Sequence, residues 1–113
     1  MHVTGIGTAT PPARYTKAEC LAAFEKSHWF SRLEDRSHLI ARTVLRRDNG
    51  IESRRLAVDS LEEVFVIDPD TLSRRFLAHA PRLAAQAGER ALGQAGLQAS
   101  QIDAVVVSTC TGY

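Results

Sequence analysis

The run Ala104-Val105-Val106-Val107, set inside "IDAVVVSTCTGY", constrains the fold more than any other stretch of the sequence. It is apolar on both faces of an extended chain. A strand with one face in water alternates apolar and polar residues. A continuous apolar run belongs to a strand covered on both sides, the usual state of a parallel sheet beneath helices. Three consecutive valines left in water invite edge pairing and aggregation. The remaining residues must therefore supply strands to flank this segment and helices to cover it.

The supply is short. "HVTGIGTAT" is rich in β-branched residues and glycine and reads as a first strand that ends at Pro11-Pro12, since proline cannot continue a ladder. Thr16 and Glu19 have the spacing of a capping box. Leu21 and Phe24 follow at helical spacing and predict a helix from Lys17 to about Trp29. "SRLEDRSHLIARTVLRRDNG" predicts a second helix, with Leu33, Ile40, Val44 and Leu45 on one face and Asn49-Gly50 as the stop signal. "IESRRLAV" alternates weakly and reads as a strand. "DSLEEVFVIDPD" reads as a connection with a short extended piece at Val64 to Ile67.

The strongest element runs from Asp70 to Gly96. Ala80, Ala84, Ala87, Ala91 and Ala95 fall three or four residues apart and form a stripe with almost no bulk, flanked by Leu83 and Leu92. Such a helix can approach a sheet or another helix closely. Pro81 removes one N–H inside it, which predicts either a kink or a junction of two helices. Gly96 supplies the stop, and Ser100 and Asp103 lie in the turn to the valine segment. These few strands and helices cannot cover both faces of that segment, so its flanking partners are expected to lie outside the 113 residues.

Composition narrows the classes. A length of 113 residues allows one domain at most. Hydrophobic residues at 44% and charged residues at 24% suit a globular chain. The formal net charge of +1 gives nucleic-acid binding no support. No apolar run reaches the length of a membrane span, and no export signal is visible, so a cytoplasmic location is expected. Cys20 and Cys110 are then expected as free thiols. The absence of CxxC and HExxH argues against a metal site. Gly5-x-Gly7 lacks the third glycine of a dinucleotide fingerprint and reads as a tight strand exit.

Taken in order, "GIGTATPP", a basic helix followed by "GIESRR", "APRLAAQAGERALGQAGL" and "IDAVVVSTCTGY" resemble the opening of type III polyketide synthases, the chalcone- and stilbene-synthase-like enzymes. The resemblance covers nearly the whole chain. It implies an α/β protein of thiolase-like fold, represented by an incomplete N-terminal half, with helices packed on a partial mixed sheet. Residues 1–113 would be a truncated N-terminal part of that domain. The complete enzyme would be a homodimeric acyltransferase that condenses malonyl-CoA onto a starter acyl-CoA by decarboxylative Claisen chemistry. Acyl-CoA and malonyl-CoA would be substrates, with no metal or organic cofactor. The family's catalytic Cys, His and Asn have no counterpart among these residues, so this chain alone is expected to be inactive.

The same resemblance puts Cys110 and Thr111 in the wall of the substrate pocket. From the residues themselves, an inert buried thiol and a nucleophile remain alternatives for Cys110. Arg42, Arg46 and Arg47 are candidates for the CoA phosphates: residues 42 and 46 are one helical turn apart, and arginine matches phosphate oxygens bidentately. The alternative is a solvated face near a helix C-terminus, which suits cations. Ile51 and Arg54 match the family's spacing, with a structural role expected for the arginine. His79 reads as a helix-surface residue, and Trp29-Phe30 as packing of the second helix on the core. Two rival readings are a fragment of a ketoacyl-ACP synthase of the third type and a small non-enzymatic α/β interaction module.

Overall fold

The computed structural model describes residues 2–109 and divides the chain into two compact units, one spanning Pro11–Asp68 and the other joining residues 2–10 to the residues from Pro69 onward. It is rich in helix, with one small antiparallel sheet.

In the Pro11–Asp68 unit, strand β1 (Arg14–Thr16) pairs with β2 (Ser53–Arg55), Tyr15 standing opposite Arg54. The pairing continues past both ends through Lys17 N–H to the Glu52 carbonyl and Leu56 N–H to the Ala13 carbonyl. Pro11 and Pro12 lack an N–H to donate, and their carbonyls accept from Arg55 Nη1 at 3.3 and 3.0 Å. Helix α1 (Lys17–Lys26) starts at the expected capping box. Glu19 N–H donates to the Thr16 hydroxyl, and Thr16 N–H donates to the Glu19 carboxylate at 2.7 Å. The helix stops sooner than its periodicity predicts. Ser27 is extended, caps α1, and reopens a separate turn, α2 (His28–Ser31), by accepting from Phe30 N–H. A serine that can bond to local backbone offers the chain this exit.

Helix α3 (Asp35–Arg46) forms where expected but turns a different face inward. Ile40 and Val44, expected inside, are 52% and 55% exposed, while Ser37, His38, Ala41 and Leu45 are half-buried. Phe30 sets this rotation. The His38 ring stacks on it at 4.3 Å and its Nε2 meets the Phe30 carbonyl at 2.8 Å. The Arg42 guanidinium lies over the same ring at 5.3 Å. A large buried ring decides which side of a helix is held against it. The helix ends at Arg46, before Asn49-Gly50. Gly50, at φ +74, serves instead a loop closed by Gly50 N–H to Asp48 Oδ1 and Ile51 N–H to Asn49 Oδ1.

Of the expected extended piece at Val64 to Ile67, Val66 is extended (φ −89, ψ 100), but Val64 and Phe65 belong to a 3₁₀ turn over Leu61–Phe65. It carries Phe65 onto Phe24 (5.9 Å), and Phe24 meets Phe30 edge-on at 5.2 Å. Trp29 Nε1 donates to the Phe65 carbonyl. Around this aromatic cluster Leu21 and Phe30 are the buried hydrophobic residues, at 6% and 7% exposure.

In the other unit, α4 (Pro69–Ala95) runs as one helix through Pro81. It ends in a Schellman motif: Leu97 N–H reaches the Leu92 carbonyl, Gly96 N–H reaches that of Gly93, and Gly96 takes φ +67. Among the described residues, 2–10 join no ladder, contrary to the expected first strand, although their burial alternates as in an extended chain. Their inward positions are Gly5, Gly7 and Ala9, and they lie on the alanine stripe of α4. Ile6 N–H donates to Gln94 Oε1, and Arg90 Nη1 donates to the Thr8 carbonyl. A β-carbon on Gly5 or Gly7 would collide with the carbonyl of Ala91 or Ala87, so these glycines serve close approach of two backbones.

The valine segment joins no ladder among the described residues, and Val105, Val106 and Val107 are 80%, 94% and 75% exposed. Among the described residues the sheet is the antiparallel β1–β2 pair, which with the helices is compatible with an α/β chain in general. A strand acquires its hydrogen bonds only from a neighbour, which neither extended end segment has here. Large apolar side chains left exposed elsewhere include Val3, Ile6, Leu39, Val66 and Leu77.

Candidate functional site

The alanines of α1 leave a groove of about 520 Å³ against α3. Ala18, Leu21, Ala22 and Leu45 form its apolar floor, and Lys17, Glu25 and Arg46 line it with charge. Lys17 stands at the first position of α1 and reaches the far end of α3. Its Nζ donates to the Arg47 carbonyl at 2.8 Å and contacts Asn49 Oδ1 at 3.4 Å. A cation at a helix C-terminus satisfies a carbonyl the helix leaves open and suits the dipole there.

Of the expected phosphate ligands, Arg42 and Arg46 lie one turn apart on α3. Arg42 is already engaged: its Nε pairs with Glu25 Oε1 at 2.7 Å while its plane covers Phe30. Half-exposed pairs of this kind add little stability, so its main effect is to fix the side chain. Arg46 borders the groove. Arg47 has left the helix, with extended φ −65 and ψ 140, and joins the cluster through its backbone carbonyl. The groove can seat an anion at the Lys17–Arg46 end and a flat apolar body on the alanine floor. Sequence reading missed Lys17 and Glu25. Their partners lie 30 and 17 residues away, and no local pattern links residues at that distance.

A smaller cavity of about 230 Å³ lies on another side of α1, lined by Cys20, Phe24, Leu56, Val64, Phe65 and Arg54. Burial pushes the Cys20 thiol above its ordinary pKa, and the charge of Arg54 opposes this more weakly. The thiol stays protonated at neutral pH and is a poor nucleophile. Arg54 has a structural place as expected, opposite Tyr15 in the β1–β2 pair and in the wall of this cavity, while its neighbour Arg55 ties β2 to the two prolines. His79 is exposed on α4, as expected. Cys110 and Thr111, the expected pocket residues, lie outside the described residues. Among the described residues no three His, Cys, Asp or Glu side chains converge, and no helix is long and apolar enough to cross a membrane.

Comparison of the chain with protein-family models, curated proteins and solved structures finds no match.

Proposed function

We propose that this chain is the N-terminal part of a type III polyketide synthase of thiolase-like fold. The complete enzyme transfers an acyl group from a starter CoA thioester and extends it with malonyl-CoA by decarboxylative Claisen condensation. The observation that carries the reading is the order of four motifs along one short chain: "GIGTATPP", "GIESRR", "APRLAAQAGERALGQAGL" and "IDAVVVSTCTGY". Two features agree with it. Arg42 and Arg46, with Lys17, put cations beside an apolar groove, an arrangement suited to a nucleotide phosphate. The exposed valine run is the kind of segment that a larger sheet would cover.

In this reading the chain binds CoA weakly and turns nothing over. Calorimetric titration with CoA and with dephospho-CoA tests the first part. The expected result is a preference for CoA that falls about tenfold in R42A/R46A, the size of a lost charge-assisted bond. Equal binding of both ligands would remove the phosphate assignment. Incubation with acyl-CoA and malonyl-CoA tests the second part, and turnover above background would refute the inactive-fragment reading. The reading frame beyond codon 113 tests the family itself: the proposal expects a downstream cysteine motif with later His and Asn codons.

A further inference from the structure

A groove of about 470 Å³ opens between the C-terminal end of α1 and the 3₁₀ turn over Leu61–Phe65. It shares no lining residue with the groove of Lys17 and Arg46 and has no use in the proposed reaction. Ala23, Trp29, Phe65 and Val66 make its walls apolar. Both aromatic walls are set in place by other contacts. Trp29 Nε1 donates to the Phe65 carbonyl at 2.9 Å, and the Phe65 ring stacks on Phe24 at 5.9 Å. Trp29 is still 39% exposed, so part of the indole stays open to a ligand. Walls that are already fixed lose little freedom when a ligand arrives.

The rim carries one charge of each sign. Lys26 stands in the last turn of α1 and Glu62 at the start of the 3₁₀ turn. The Glu62 carboxyl is held below its ordinary value by a backbone hydrogen bond first and the Ser60 hydroxyl second, and more weakly by the charge of Lys26. Lys26 therefore acts on Glu62, yet the two do not close into an ion pair. Apart from His28, whose ring meets Trp29 edge-on at 5.9 Å, no other ionisable side chain lines the groove among the described residues.

From this arrangement we propose that the groove binds an aromatic α-amino acid as its zwitterion. The ligand ring lies against Trp29 and Phe65, its carboxylate meets the Lys26 ammonium, and its ammonium meets the Glu62 carboxylate. The volume falls within the range of about 300–1,000 Å³ usual for small-molecule sites. The balanced rim selects this occupant over its neighbours in chemistry. An aromatic acid without the amine uses Lys26 alone and brings its own negative charge towards Glu62. An aromatic amine without the carboxylate does the reverse. An apolar protein segment laid across the groove would desolvate both charges and pair neither.

The test uses the whole chain and reads Trp29, its only tryptophan, by fluorescence. The probes are phenylalanine, 3-phenylpropionate, 2-phenylethylamine and glycine, none of which absorbs where tryptophan is excited. Phenylalanine is expected to give a saturable change, half-complete at about millimolar concentration for so small a ligand. Phenylpropionate and phenylethylamine should bind about fivefold or more weakly, and glycine should give no change. Lys26→Met should weaken phenylalanine about fivefold and leave phenylethylamine unaltered, whereas Glu62→Gln should weaken phenylalanine equally and leave phenylpropionate unaltered. Far-UV circular dichroism verifies that both variants keep their helices, as expected for exposed side chains. No saturable response to phenylalanine would overturn the proposal. So would phenylpropionate or phenylethylamine binding as tightly as phenylalanine, wild-type phenylalanine binding in both variants, or a Trp29 emission that shifts with protein concentration alone, which would assign the groove to a second copy of the chain.

Discussion

Replacing Gly7 by alanine adds one methyl group at the point where residues 2–10 lie on α4. That methyl would fall on the Ala87 carbonyl oxygen, 2.5 Å from Ala91 N and 3.1 Å from Ala87 C. Ordinary contact begins near 3.4 Å, and every atom met is backbone, so no side chain can swing away. The extended segment must lift off the helix, which strains its bonds to Gln94 and Arg90. Overpacking of this kind costs about 1–3 kcal/mol, and the stiffer unfolded chain returns about 0.4–1 kcal/mol, leaving a net loss of about 1–2 kcal/mol. The control is Gly88→Ala on the same helix, where nothing lies within 4 Å of the added methyl. There alanine replaces glycine inside a helix and is expected to stabilise by about 0.8–1 kcal/mol. Urea unfolding followed by far-UV circular dichroism gives both values, and hydrogen exchange of the Ile6 amide reports the contact itself. G7A should raise that exchange rate and G88A should not. A neutral or stabilising G7A with Ile6 still protected would refute the close-approach role of the glycines.

Phe30→Ala should destabilise the Pro11–Asp68 unit by about 3–5 kcal/mol, because Phe24, His38 and Arg42 all pack on a ring that is 7% exposed; thermal melts check this, and a loss below about 1 kcal/mol would remove Phe30 from the centre of the core. The Glu19 carboxyl is held below its ordinary value of 4.5 by the Thr16 backbone N–H first and the Thr16 hydroxyl second. A depressed carboxyl stabilises the folded state above its unfolded pKa and loses that contribution as pH falls through the lower folded value. Helicity of wild type should therefore fall as pH drops below about 4.5, and part of that fall should be missing in Glu19→Gln. Identical acid limbs in the two proteins would contradict the capping role.

Thr16 with Glu19, and Gly96 at the end of α4, were legible without any structure, because each involves groups within a few residues of one another. The same holds for the alanine stripe, whose purpose was visible as close approach although its partner was not. The candidate site was only half legible: Arg42 and Arg46 could be placed on one face, but Lys17 and Glu25 could not be joined to them. Cys110 and Thr111 were singled out by resemblance alone.

Tertiary structure decided everything that depends on distant residues. It chose Arg14–Thr16 and Ser53–Arg55 as the sheet, although neither is more strand-like in composition than "HVTGIGTAT" or "AVVVST". It turned Ile40 and Val44 of α3 outward because Phe30, from another element, claimed the His38 side. A helix closes its hydrogen bonds within four residues, so its ends and stripes are written locally. A strand, and the rotation of a helix about its own axis, are settled only by the neighbour that supplies the missing bonds or fills the adjoining space.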